Sequence, residues 1–258
     1  MMERSLRLGL LAAAVLSALL ATGYFLQLPW ALQTWPWPEG RLSNIFIASV
    51  FGAVAGAMFW VGVSGRLAGA AGGFLHVATM SAGLAMVLWP MALSQPASVS
   101  MGYALGCTAV ALAGLAAFGF VRRLPVVDTR RLPGSLRVWS LIYIAILLPA
   151  GSALVAQVPG IMPWPLKPEM SMVCGWVFLS AAWSFAYPLL RPQVEHVRVG
   201  LIGFLVYDAV LIGPFISHLD TVRPDLLRSL QLYLLALVVT AAVSLYYLLI
   251  CRATRWRA

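Results

Sequence analysis

Two ionisable side chains lie deep inside apolar runs of the sequence, Asp208 and His76. Asp208 follows Tyr207 near the middle of the stretch 200–214, GLIGFLVYDAVLIGP. It is the one acidic residue that the sequence places deep in a bilayer, and the other two histidines fall at predicted helix ends. A charge in hydrocarbon is costly and usually functional. Asp208, His76 and Tyr207 are therefore the candidates for binding a cation or relaying a proton.

The elements around these residues are predicted from hydropathy. The chain is 62% hydrophobic and 10% charged, with a mean hydropathy of +0.91, whereas soluble domains are roughly a quarter charged. Apolar runs long enough to cross a bilayer recur along the whole chain. We therefore expect an all-α, polytopic membrane protein with eight transmembrane helices. The predicted spans are 8–28, 42–63, 67–89, 101–121, 138–158, 170–190, 199–217 and 229–250.

The cations are distributed unevenly between the loops. With the N-terminus in the cytoplasm, thirteen of the 17 Lys and Arg residues fall on the cytoplasmic side. This asymmetry predicts a multi-pass protein of the cell membrane with both termini cytoplasmic. The net charge of +9 is explained by these helix-end arginines. Nucleic-acid binding is therefore not expected, and the lipid bilayer is the partner that the charge pattern indicates.

The chain contains an internal duplication with a shift of about 130 residues. The matching pairs are Ser5-Leu6-Arg7 with Ser135-Leu136-Arg137, Gln27 with Gln157, Pro36-Trp37-Pro38 with Pro163-Trp164-Pro165, Gly73 with Gly203, and Arg122 with Arg252. The predicted units are a first four-helix repeat at 1–123, an Arg-rich cytoplasmic linker at 124–134 and a second repeat at 135–258. Because each repeat has an even number of helices, the repeats are parallel, and a pseudo-two-fold axis along the membrane normal relates them.

The duplication suggests how Asp208 and His76 could meet. Asp208 matches Ala78, which lies two residues from His76, so the two polar residues lie at similar depths in equivalent helices. If both helices line the interface between the repeats, a His–Asp pair forms in a low dielectric. The alternative is that each residue is satisfied separately, Asp208 by a hydroxyl group and His76 by a backbone carbonyl.

Tryptophans and prolines mark the loops predicted on the non-cytoplasmic side. Trp30, Trp35, Trp37 and Trp164 lie there, and tryptophan anchors at the level of the lipid headgroups. One interpretation is an aromatic rim around a binding mouth. The other is a structural loop at the membrane interface.

No motif for catalysis, a metal or a cofactor is found. The three cysteines form no C-x-x-C pair and have no histidine at metal-ligand spacing. The sequence at 62–65, GVSG, matches the G-x-S-G of intramembrane serine proteases, but it lies in a predicted turn with no histidine at a matching position. An enzyme is thus the least supported class, and no catalytic residue, metal or cofactor is predicted.

Small residues recur four apart in the second to fourth spans. The pairs are Gly52 with Gly56, Gly65 with Gly69 and Gly73, and Gly102 with Gly106. Such stripes allow close helix packing, within the chain or in a homo- or hetero-oligomer.

Three classes of function remain from the sequence. The first is a transporter- or channel-like protein for an ion, a proton or a lipid-like molecule, with its site near Asp208 and His76. The second is a non-catalytic subunit or scaffold of a membrane complex. The third is a membrane-embedded enzyme.

Overall fold

The protein is built from α-helices. A computed structural model describes residues 2–94 and 99–256, without the side chains of Met2 and Val99. The helices are α1 (Met2–Phe25), α2 (Pro29–Leu32), α3 (Arg41–Ser64), α4 (Ala71–Ser94), α5 (Val99–Val121), α6 (Gly134–Val155), α7 (Pro168–Leu190), α8 (Val194–Ser217) and α9 (Leu227–Leu245). Short 3₁₀ turns precede α4 and α9, and a π-helical turn, Tyr246–Ile250, extends α9. Within these described residues there is no β-strand, only an isolated bridge between Arg131 and Gln193.

Eight helical segments of the described residues are long and apolar enough to cross a membrane. They contain 22 to 28 residues each, and a helix of roughly 20 residues spans the hydrocarbon core. The prediction of an all-α protein with eight spans is confirmed. These segments indicate an integral, multi-pass membrane protein.

Three boundaries differ from the predicted ones for identifiable reasons. Helix α4 continues past Pro90 to Ser94, because neighbouring groups in membrane proteins can satisfy the carbonyl that a proline frees. Helix α8 begins at Val194, five residues before the predicted start, and so includes Glu195, His196 and Arg198. The short helix α2 begins with Pro29, whose fixed φ suits a first helical position.

The helices group into two compact units, each of which takes helices from both halves of the chain. The first unit holds α1, α2, α3, most of α8 and α9, and comprises Met1–Leu67, Pro159–Leu166 and Arg198–Ala258. The second holds α4, α5, α6, α7 and the first turn of α8, and comprises Ala68–Val158 and Lys167–Val197. The predicted repeats divide the chain at 124–134 instead, and the duplication stays a prediction.

In the first unit, α3 packs against α8 through its glycines. A Cβ added to Gly56 would lie 2.8 Å from a methyl carbon of Val206, and one added to Gly52 would lie 3.4 Å from the same side chain. The glycine pair of this helix therefore serves packing inside the chain. The N-terminal helix is tied to the end of α3 by Arg7, whose Nε donates to the carbonyl of Gly62 at 3.1 Å.

In the second unit, α6 and α7 approach each other at two glycines. A Cβ added to Gly175 would lie 2.7 Å from the backbone nitrogen of Val155 and 2.8 Å from the carbonyl oxygen of Gly151. Backbone atoms cannot move away as a flexible side chain can, so this crossing requires glycine.

The predicted stripe Gly65–Gly69–Gly73 is not continuous along one helix. Gly65 has φ +70° and ends α3 as its C-cap, and Gly69 lies in the 3₁₀ turn before α4. The positive φ explains the glycine at residue 65, because side chains rarely adopt that conformation. Gly69 allows close packing, because a Cβ added there would lie 2.9 Å from the carbonyl oxygen of Glu195. The spacing therefore combines a turn position at residue 65 with a packing position at residue 69.

The matching segments Gln27-Leu28-Pro29 and Gln157-Val158-Pro159 have the same backbone conformation at their glutamines. Gln27 and Gln157 have φ 56° and 59° and are the only non-glycine residues with positive φ in the described part of the chain. Leu28 donates its N–H to Gly23 at 2.9 Å, and Val158 donates its N–H to Ala153 at 2.9 Å. These are the bonds of a Schellman motif, so both elements end a helix in the same way.

The α6–α7 crossing can be tested by adding one methyl group. We expect Gly175→Ala to lower the free energy of unfolding by about 1–3 kcal/mol, because the new Cβ would overlap backbone atoms. The measurement is the thermal unfolding of the purified protein in detergent. Gly119→Ala is the matched control, since nothing lies within 4 Å of its Cβ position, and it should leave stability unchanged or slightly raised. Equal melting temperatures for the two variants would contradict the close crossing.

Candidate functional site

Asp208 lies near the middle of α8 and is buried. It follows Val194 by 14 residues and precedes Ser217 by nine, which places it ~21 Å and ~14 Å from the two helix ends. Only 1% of its surface is exposed. Its Oδ2 atom is buried and makes no hydrogen bond within the described residues. Most buried polar groups find a partner, so an unpaired carboxylate oxygen needs a functional or structural reason.

The face of α8 that carries Asp208 is otherwise apolar. Leu201 lies seven residues before Asp208, and Leu211 and Phe215 lie three and seven residues after it, and all three are buried as well. Gly203 and Val206 lie on another face, where they approach α3. The carboxylate thus projects from a buried hydrocarbon face of a helix.

Tyr207 is adjacent to Asp208 in sequence but belongs to an aromatic cluster. Its hydroxyl is hydrogen-bonded to the hydroxyl of Tyr233 on α9. Its ring packs edge-on against Phe46 of α3, with the ring centroids 6.1 Å apart. Tyr207 therefore links α8 to α3 and α9 in the first unit.

A proline interrupts α8 just beyond Asp208. Pro214 has no N–H, so the carbonyl of Val210 loses its usual helical hydrogen bond. Two residues are about 200° of helical rotation, so this carbonyl is on the side of α8 away from Asp208. The freed carbonyl and the carboxylate are therefore close in sequence but face different directions.

His76 lies on α4 in the second unit. Its Nδ1 is 3.2 Å from the hydroxyl oxygen of Ser184 on α7. The sequence offered a backbone carbonyl as the alternative to a carboxylate partner, and the structure gives a side-chain hydroxyl. Asp208 belongs to the first unit, and its pairing with His76 stays a prediction.

The tryptophans of the predicted rim fall into two settings. Trp35 packs edge-on against Tyr24 at 6.4 Å and against Trp37 at 5.8 Å between ring centroids. Trp30 is 48% exposed, and its ring lies beside Gly23 of α1. All three residues follow α1 in the first unit, with Trp35 and Trp37 in contact with each other and Trp30 beside α1.

Trp164 is a buried anchor. It is 5% exposed, and its Nε1 donates to the hydroxyl of Ser43 at 3.0 Å. Its ring lies 5.4 Å from that of Phe215 and 6.0 Å from that of Phe46, between centroids. It thus fixes the segment 159–166 to α3 and α8. The rim interpretation as a whole stays a prediction.

Glu195 is a buried carboxylate that the sequence did not single out. None of its surface is exposed, and its Oε2 accepts the backbone N–H groups of Val127 and Asp128 at 2.9 and 2.7 Å. Asp128 is in turn paired with Arg130 at 2.6 Å. Glu195 therefore holds the Arg-rich linker onto the first turn of α8. It falls between the predicted spans 170–190 and 199–217, so the local sequence did not indicate this contact.

Comparison with known proteins identifies no relative. No family model, no curated protein and no solved structure matches the chain. Within residues 2–94 and 99–256, no group of three or more His, Cys, Asp and Glu side chains could hold a metal ion. The functional argument therefore rests on the chain's own residues.

Replacing the carboxylate by an amide should affect stability differently at Glu195 and at Asp208. We expect Glu195→Gln to lower the free energy of unfolding by about 1–3 kcal/mol, because it weakens two hydrogen bonds to an anionic acceptor. Asp208→Asn should leave stability unchanged or raised, since Oδ2 has no hydrogen bond to lose. The measurement is thermal unfolding of both variants in one detergent. A comparable loss for Asp208→Asn would show that its carboxylate is structural.

Proposed function

We propose that this protein is a membrane transport protein that moves a small cation across the bilayer, with Asp208 as the residue that binds it. The observation that carries the proposal is the buried Oδ2 of Asp208, which has no hydrogen bond within the described residues. An ionised carboxylate in hydrocarbon needs a counter-charge or water. A cation that arrives during transport supplies that counter-charge.

The surroundings of Asp208 favour a small cation over a large polar substrate. Residues one turn away along α8 in each direction are apolar, namely Phe204, Leu205, Leu211 and Ile212. A large hydrated substrate requires many polar contacts to replace its water. The site offers one charge, which matches the requirement of a single small cation.

His76 and Tyr207 are the further residues of the proposal. His76 has an imidazole that can hydrogen-bond through either ring nitrogen, and its Nδ1 already has a hydroxyl partner in Ser184. Tyr207 precedes Asp208 on α8 and has its hydroxyl in a pair with Tyr233. We assign both a supporting role in the path of the cation and Asp208 the binding role.

Ion flux into proteoliposomes tests the proposed function. The probes are protons, followed with an internal pH dye, and radioactive sodium, each driven by a potassium diffusion potential set with valinomycin. We expect the full-length protein to carry one of these ions, and Asp208→Asn to reduce that flux by roughly tenfold or more.

The matched control for this flux is Asp220→Asn. Asp220 lies exposed in the loop after α8, so the same substitution there should leave the flux unchanged. Equal fluxes for the wild type and Asp208→Asn would contradict the transport function.

A pair of exposed glycines on α5 favours a second candidate function, that of a subunit of a membrane complex. Gly102 and Gly106 are exposed, and nothing lies within 4 Å of either Cβ position. This differs from Gly52 and Gly56, whose stripe is filled by Val206. A small-residue pair that no described residue covers fits the close approach of a further transmembrane helix.

Bulky residues on α5 test this second function. We expect Gly102→Leu with Gly106→Leu to abolish complexes seen by chemical cross-linking in native membranes, because leucine side chains block a close helix approach. Gly119→Leu is the control on the same helix, at a position that is also open. Cross-linked complexes of unchanged abundance in the double variant would exclude this interface.

A further inference from the structure

We propose that the cation bound at Asp208 is the proton rather than a metal ion, an inference that rests on the proposed function. The distinction follows from the number of oxygen ligands that each ion needs. A proton needs one carboxylate oxygen, which forms an O–H bond. Metal cations need several oxygens at once, six for Mg²⁺ and six to eight for Ca²⁺.

On the face of α8 that carries Asp208, no other side chain within one turn has an oxygen. Tyr207 is adjacent in sequence, but its hydroxyl is hydrogen-bonded to that of Tyr233. The four residues that flank Asp208 on its own face, at three and four positions on either side, are Phe204, Leu205, Leu211 and Ile212. None of them has an oxygen in its side chain. The carbonyl of Val210, which Pro214 leaves free, is on the side of the helix away from Asp208.

The described contacts of α8 with other elements of the first unit are apolar or already hydrogen-bonded. Helix α3 contacts α8 at Gly52 and Gly56 and through the ring of Phe46, none of which has a side-chain oxygen. Ser49, one turn from Gly52, is buried, and its hydroxyl donates to the carbonyl of Phe46 at 2.6 Å. Helix α9 contributes Tyr233, the titratable group on that side, and its hydroxyl is paired with that of Tyr207. The segment 159–166 contributes Trp164, whose N–H donates to Ser43. Among these contacts, tyrosine hydroxyls are the only titratable groups, and each already has a partner.

Proton binding and release at Asp208 require no reactants other than hydronium and water. On uptake, a hydronium ion transfers its proton to an oxygen of Asp208, which leaves a neutral carboxylic acid and a water molecule. On release, water accepts the proton and the carboxylate returns. No oxidant, reductant or co-substrate is required. Because uptake removes the charge, the carboxyl group can stay among apolar residues without a second ligand.

Infrared difference spectroscopy of the full chain in bilayers distinguishes proton binding from sodium binding at Asp208. One difference spectrum compares acidic with alkaline pH, and a second compares sodium with choline at fixed pH. We expect a carboxylic-acid C=O band in the first spectrum that is lost in Asp208→Asn and kept in Asp220→Asn. We expect no carboxylate change in the second spectrum.

The results of these experiments distinguish the proton assignment from the proposed transport function. A sodium-induced carboxylate change that disappears in Asp208→Asn would overturn the proton assignment, whereas Asp208-dependent sodium flux would still support the proposed function. A pH spectrum that Asp208→Asn leaves unaltered would also overturn it. If Asp208→Asn leaves ion flux unaltered in proteoliposomes, the proposed function fails and the inference fails with it.

Discussion

The constraint on which this structure depends is that polar groups in hydrocarbon must find their partners within the chain. The eight apolar segments meet it by forming helices. At the ends of α1 and α6, Gln27 and Gln157 meet it through the same left-handed turn. Glu195 meets it by accepting two backbone N–H groups of the linker. Asp208 is an informative exception. Its Oδ2 is one of several buried polar atoms without a partner, as is Oε1 of Glu195, but Glu195 accepts two hydrogen bonds through its other oxygen.

The sequence predicted the spans well because a long apolar run has one stable form in a bilayer. It also predicted Asp208 as the buried acid, since a lone carboxylate in such a run is evident by inspection. It missed Glu195, because polar residues at a helix start look like an exposed turn until the linker that covers them is known. It also could not show that Trp164 donates to Ser43, 121 residues away in the chain. Contacts between distant segments leave no local signal.

The two compact units show how the helices of the predicted repeats are distributed. Each unit combines helices from both halves of the chain, α1 and α3 with α8 and α9 in one, and α4 to α7 in the other. A shift of about 130 residues carries each span of one unit onto a span of the other. The matching turns at Gln27 and Gln157 agree with this correspondence. Asp208 and Ala78 would then be equivalent positions with different chemistry, so a binding role would belong to one half alone.

The proline in α8 gives this helix an uneven stiffness. A regular helix resists bending through a continuous ladder of backbone hydrogen bonds, and sharp bends occur where that ladder is broken. In α8 the break joins Val210 and Pro214, immediately after Asp208 and next to Gly213. The segment from Leu211 to Ser217 is therefore held in place by packing as well as by backbone hydrogen bonds, since Phe215 is buried against Trp164 and Tyr233. The break lies less than two turns from the carboxylate, so the packing of Phe215 also limits bending of α8 next to Asp208.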